Sequence, residues 1–167
     1  MKRILVIGSG GAGKTTFALR LGHELGLPVH HLDRLWWLPG WQAESRERFD
    51  AKLAALMQDE AWIIDGNYPR TLPARLARAD TVVVLDYSRW LCLFRALVRN
   101  LRFRDRGRPD MGDDCPERMD CDFLRQIWNF ERDTWPRLDA ALAGFDGRIV
   151  ILKTPAAASA WLDRSGA

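Results

Sequence analysis

The chain has 167 residues and a mass of 19.1 kDa, with 47% apolar and 28% charged residues. That composition excludes wholesale disorder and gives the length of one domain with a well-filled core, 1–167. A formal charge of +3 and a pI near 9.0 favour anionic partners, a nucleotide as readily as a nucleic acid.

Along the chain, apolar runs alternate with longer amphipathic segments, the pattern of a parallel α/β sheet. The first predicted strand is Arg3–Ile7, and the first helix is Thr15–Leu25, with Phe17, Leu21 and Leu25 on one face. Between them, Gly8-Ser9-Gly10-Gly11-Ala12-Gly13-Lys14-Thr15-Thr16 fits G-x-x-x-x-G-K-[ST] in full. Glycines let backbone N–H groups approach phosphate oxygens, and the following helix offers the same anion its unpaired N–H groups and positive dipole end. Lys14 is expected at the β- and γ-phosphates and Thr15 on a magnesium ion, which makes ATP and Mg²⁺ the expected cofactors. A dinucleotide reading of Gly8, Gly10 and Gly13 is weaker, because Lys-Thr follows.

A second strand is predicted at Val29–Leu32, placing Asp33 at its end, where ligands collect in an open α/β sheet. Asp33 is a candidate to orient or deprotonate an acceptor hydroxyl, or else it pairs with Arg34 or Arg70 or caps the turn. Trp36, Trp37 and Trp41 lie too close together all to enter one core. Trp36 and Trp41 are candidates for stacking on a planar acceptor, with core filling the alternative for at least one indole. A helix at Glu44–Gln58 leads to the strand Trp62–Asp65. Asp65 is read either as a magnesium contact through water or as a turn residue before Gly66, and Arg70 as a clamp on the acceptor.

A helix at Leu72–Ala77 and a strand at Thr81–Asp86 precede the helix Arg89–Phe103. There, Trp90, Leu91, Phe94, Leu97, Val98 and Leu101 are expected to pack on the sheet. Arg95, Arg99, Arg102 and Arg106 recur on one face. Arg102 and Arg106 are candidates for phosphate binding or catalysis, while Arg95 reads as a solvated surface cation. The segment 104–119, rich in Gly, Pro and charge, is expected to form a short lid. A single helix over Asp120–Ala143, a strand at Arg148–Leu152 and a helix at Ala156–Leu162 complete the chain. The cysteines Cys92, Cys115 and Cys121 read as free thiols of a reducing compartment, and neither they nor His23, His30 and His31 form a metal cluster. The apolar run Ile4–Ile7 ends too soon for a signal-peptide core, and no stretch reaches the roughly 18–20 residues of a membrane helix. A cytoplasmic protein without a membrane partner is expected.

The string Asp65-Gly66-x-x-Pro69-Arg70-Thr71 resembles the corresponding segment of adenylate kinases and related nucleoside monophosphate kinases. More broadly, the chain resembles the DNA topology modulation, or FlaR-type, proteins. The resemblance runs through the phosphate loop, His31–Trp37 with Pro39-Gly40-Trp41, Trp62–Tyr68, Arg89–Cys92, Arg108–Gly112 and Ile127–Phe130. It implies a three-layer α/β/α P-loop fold of adenylate-kinase type with a five-stranded parallel sheet, and ATP binding. His-Leu-Asp followed by tryptophans departs from the adenylate kinase segment that holds AMP, so AMP is not the expected acceptor. The expected activity is transfer of the ATP γ-phosphate to a small, unidentified acceptor. The alternative is a nucleotide-binding, DNA-associated regulator, disfavoured because no DNA-reading module is visible.

Overall fold

The computed structural model describes residues 1–102 and 121–165. The lid expected over 104–119, and with it Arg106, lies outside the described residues. In chain order the elements are β1 (Arg3–Gly8), α1 (Lys14–Leu25), β2 (Val29–His31), α2 (Leu32–Trp36), β3 (Trp37–Leu38), β4 (Gln42–Ala43), α3 (Arg46–Leu56), β5 (Trp62–Asp65), α4 (Leu72–Leu76) and β6 (Thr81–Leu85). There follow α5 (Arg89–Arg102), α6 (Cys121–Trp128), α7 (Trp135–Leu142), β7 (Arg148–Leu152) and α8 (Pro155–Ser165).

Five strands form one parallel sheet in the order β2-β5-β1-β6-β7, and β3 and β4 make a separate antiparallel hairpin. Because successive strand residues point to opposite faces, β1 divides its side chains between two cores. Ile4 and Val6 join Phe17, Leu21, Ala96, Ile127 and Trp161 on one side. Leu5 and Ile7 join Phe49, Leu53, Leu72 and Leu138 on the other. Helices therefore cover both faces, the three-layer arrangement. Strand β1 is central and fully paired: Leu5 stands opposite Ile64 of β5 and Val82 of β6. Its C-terminal end, like those of β2 and β5, opens onto the loops that carry the site.

Two expectations are corrected. The helix expected over Asp120–Ala143 is broken by a π-turn at Phe130–Thr134. Pro136, in the first turn of α7, has no N–H for a continuing ladder, and its ring would clash with the carbonyl four residues earlier. The second correction concerns α5, where Leu91 packs against the core as expected but Trp90, Phe94, Leu97, Val98 and Leu101 do not. Trp90, Phe94 and Leu101 are 69%, 64% and 70% exposed, whereas Cys92, Ala96 and Asn100 are buried. The reason is proximity: a Cβ added at Gly11 of the phosphate loop would lie 2.2 Å from the Cys92 carbonyl oxygen. Only small side chains fit where a helix backbone comes that close, so bulk is forced outward. Among the described residues no helix is long and apolar enough to cross a membrane.

Candidate active site

The loop between β1 and α1 is held from below by Asn67, which follows β5. Its Oδ1 accepts from the Gly8 amide at 3.0 Å, and its Nδ2 donates to the Gly8 carbonyl at 2.8 Å. Gly11 takes φ 74°, a left-handed conformation that a side chain would strain even without the Cys92 contact. Lys14 Nζ spans the loop to donate to the Ser9 carbonyl at 3.0 Å. Arg95, read from sequence as a solvated cation, instead reaches the loop: its Nη1 donates to the Ala12 carbonyl at 3.2 Å, and its guanidinium lies over the Tyr87 ring.

Asp65 is where the strand ends meet. The register of β2 on β5 sets His31 opposite Asp65. Asp65 Oδ2 accepts from Thr15 Oγ1 at 2.8 Å and from His31 Nδ1 at 3.0 Å. A carboxylate oxygen only accepts, so Nδ1 carries the ring proton of His31. The other oxygen, Oδ1, is buried and has no hydrogen-bond partner. Leaving such an oxygen unsatisfied costs roughly 1–3 kcal/mol, and a metal-bound water would satisfy it. The donor set fits magnesium: a threonine hydroxyl and a carboxylate, both hard oxygens, beside a phosphate cradle. Thr15 and Asp65 are the residues that would hold it.

At the other end, Tyr68 Oη donates to Asp33 Oδ1 at 2.8 Å. Burial, and then the Asp33 charge, push the Tyr68 phenol far above its ordinary value, so it remains a donor at neutral pH. Trp36 meets both Phe49 and Tyr68 edge-on, with ring centroids 5.4 and 6.2 Å away, so it serves the core and the cleft together. Arg70, expected to clamp the acceptor, does not line the cleft: its Nη1 and Nη2 grip Asp50 at 2.8 and 2.6 Å. The arginine that organises this region is Arg75, fully buried. It donates to the carbonyls of Gly66, Asn67 and Tyr68 and so fastens the turn that aims Asn67 and Tyr68. Desolvation pushes its guanidinium down to about 10, still charged at neutral pH.

A single cleft of about 1160 Å³ joins these groups. Gly10–Thr16, His31, Asp33, Trp36, Trp37, Trp41, Asp65 and Tyr68 line it, with Arg95 and Arg99 from α5. Gly8 and Ser9 are buried beneath the loop. Arg102 is exposed at the end of α5, away from the lining. Sequence reasoning missed His31, Asn67, Tyr68 and Arg75. The one local signal for Asn67 and Tyr68 was their place directly after a buried strand end.

No protein-family model matches the chain, and no curated protein matches it. Solved structures do. Shikimate kinase from Acinetobacter baumannii in complex with shikimate superposes with a TM-score of 0.63 over 98% of this chain and 90% of its own, at 18% identity. The chain has the shikimate kinase fold. The enzyme of that name from Bacteroides thetaiotaomicron matches at 20% identity, over 98% and 95% of the two chains, with a TM-score of 0.54. A sugar kinase from Janibacter matches at 17% identity, over 99% and 92%, with a TM-score of 0.51.

Proposed function

We propose that this protein is an ATP-dependent kinase of a small hydroxyl compound. The observation that carries the reading is that the phosphate loop and Asp33 open into the same cleft, with the Thr15–Asp65–His31 chain between them. Kinases of shikimate and of a sugar share the fold and support it.

Gly10–Thr16 present backbone N–H groups to the nucleotide phosphates, and Lys14 places its charge at the β- and γ-phosphates. Bound magnesium supplies positive charge that offsets the phosphate oxygens during transfer. Thr15 and Asp65 are the residues that would hold it beside the phosphates. Asp33 accepts the proton of the acceptor hydroxyl as the oxygen–phosphorus bond forms and the bridge to the leaving ADP breaks. Arg95 and Arg99 add cations at the loop. Their place in the cleft favours phosphotransfer over the DNA-associated reading that the topology-modulation resemblance brings, which needs a free basic face.

Lys14→Ala tests the proposal. It is expected to lower acceptor-dependent ADP release by about 10²–10³-fold while leaving the melting temperature unchanged. Undiminished nucleotide affinity and turnover in the folded variant would contradict the phosphate-loop assignment.

A further inference from the structure

Among the described residues, two other than glycine take positive φ: Trp41 at 61° and Tyr68 at 34°. Both line the cleft. A bulky L-residue is strained there because its Cβ crowds the following carbonyl oxygen. Trp41 follows Gly40, itself at φ 74°, in the turn that joins β3 to β4. Such a turn takes glycine or asparagine, so a tryptophan is a local conflict, and strain of this kind persists chiefly at ligand sites.

The strained residues are the ends of a continuous aromatic wall. Trp41 meets Trp37 at 5.4 Å and 69°, Trp37 meets Trp36 at 6.4 Å and 76°, and Trp36 meets Tyr68 at 6.2 Å and 65°. Each ring turns its edge to the next one's face, the arrangement aromatic rings prefer, and a further flat ring extends it by stacking on one indole and meeting the edge of its neighbour. The wall ends at Asp33 through the Tyr68 hydroxyl. Among the described residues, charge at this end of the cleft is balanced, since Asp33 and Arg34 contribute one of each sign while Arg70 is held by Asp50 and Arg75 by backbone carbonyls.

From this geometry we infer that the wall of Trp36, Trp37, Trp41 and Tyr68 is the acceptor site, and that the acceptor is an uncharged hydroxyl compound bearing a planar ring, of nucleoside type. The inference rests on the phosphotransfer reading and narrows its substrate. The ring lies on the indoles and its hydroxyl meets Asp33. The hydroxyl proton passes to the Asp33 carboxylate, the oxygen bonds to the γ-phosphorus, and the bond to the β-phosphate oxygen breaks to release ADP.

The experiment measures ADP release from Mg·ATP with adenosine, cytidine and thymidine, with their 5′-monophosphates, and with glycerol and inositol. Quenching of tryptophan fluorescence by the same compounds provides a readout independent of turnover. The variant is Trp41→Gly, because glycine adopts the turn without strain and folding is not lost. A nucleoside is expected to be the best acceptor. Trp41→Gly should raise its KM about ten-fold, as loss of a base-stacking ring does, with kcat less affected and the melting temperature equal or higher. Preference for monophosphates, equal use of glycerol or inositol, or an unchanged KM in Trp41→Gly overturns the inference and leaves the kinase reading standing. Nucleoside quenching without ADP release from any compound overturns the acceptor assignment together with that reading.

Discussion

Two donors on one oxygen of Asp65 leave its carboxylate a single orientation, with Oδ1 toward whatever satisfies it. On the proposed reading, His31 would act as a positioning residue for a magnesium ion. Partners that orient ligands in this way are typically worth about 10–100-fold in metal affinity. His31→Ala should weaken Mn²⁺ binding to the ADP complex by that order, followed by electron paramagnetic resonance. His31→Asn, whose amide can donate from near the Nδ1 position, should restore most of it. Equal Mn²⁺ affinity in a folded His31→Ala protein would remove the role. The contrast with Lys14 shows what sequence reveals at this scale. Lys14 and Thr15 belong to one contiguous motif, so spacing alone makes them candidates. His31 and Asp65 lie 34 positions apart and meet only through strand pairing. Arg70 and Arg75 show the same limit. Both follow the Asp-Gly segment, yet a short 3₁₀ turn at Pro69–Thr71 sends one to Asp50 and the other beneath the backbone.

At the level of elements, the strands were legible as short runs between helical patterns, and all five end within one residue of the expected bounds, although β2 and β7 are not buried throughout. Helix α5 was not. Its composition pointed the large apolar face inward, but the close approach of Cys92 to Gly11 decided the rotation, and that contact joins residues far apart in sequence. The strand starts depend on a polar clasp that also gave no local signal. Asp80 Oδ2 accepts from the Lys2 and Arg3 amides at 2.8 and 2.9 Å, and Oδ1 accepts from Thr81 Oγ1 at 2.7 Å. Burial alone raises this carboxyl, but the hydrogen bonds from Arg3, Lys2 and Thr81 outweigh it and hold it below the usual range. A lowered folded value means the unfolded chain binds the proton more readily. The stabilisation is thus complete above the unfolded carboxylate value, about pH 4, and is lost as pH falls through the lower folded value. Asp80→Asn should lower the melting temperature by about 2–6 °C at pH 7, and the gap to the parent should close below pH 3. A gap independent of pH would mean that packing, and not the charge, makes the clasp.

For the whole molecule, the order β2-β5-β1-β6-β7 places the earliest strand in the middle and the latest at an edge. The fold class followed from the alternation of strands and helices, whereas the two-stranded insert β3–β4 that carries Trp37 was too short to register as a pattern. Strand order also has a temporal meaning during synthesis. Strand β1 leaves the ribosome with no neighbour until β5 has been made, and Val82–Leu85 of β6, buried along its whole length, has an open side until β7 arrives more than sixty residues later. A nascent chain therefore carries a bare, apolar, hydrogen-bonding edge through the translation of everything between. A chain ending at residue 146 should be captured by chaperones or found in the pellet, and the 167-residue chain should be recovered in the supernatant. A soluble, monomeric 1–146 fragment would show that the edge is covered by something other than β7.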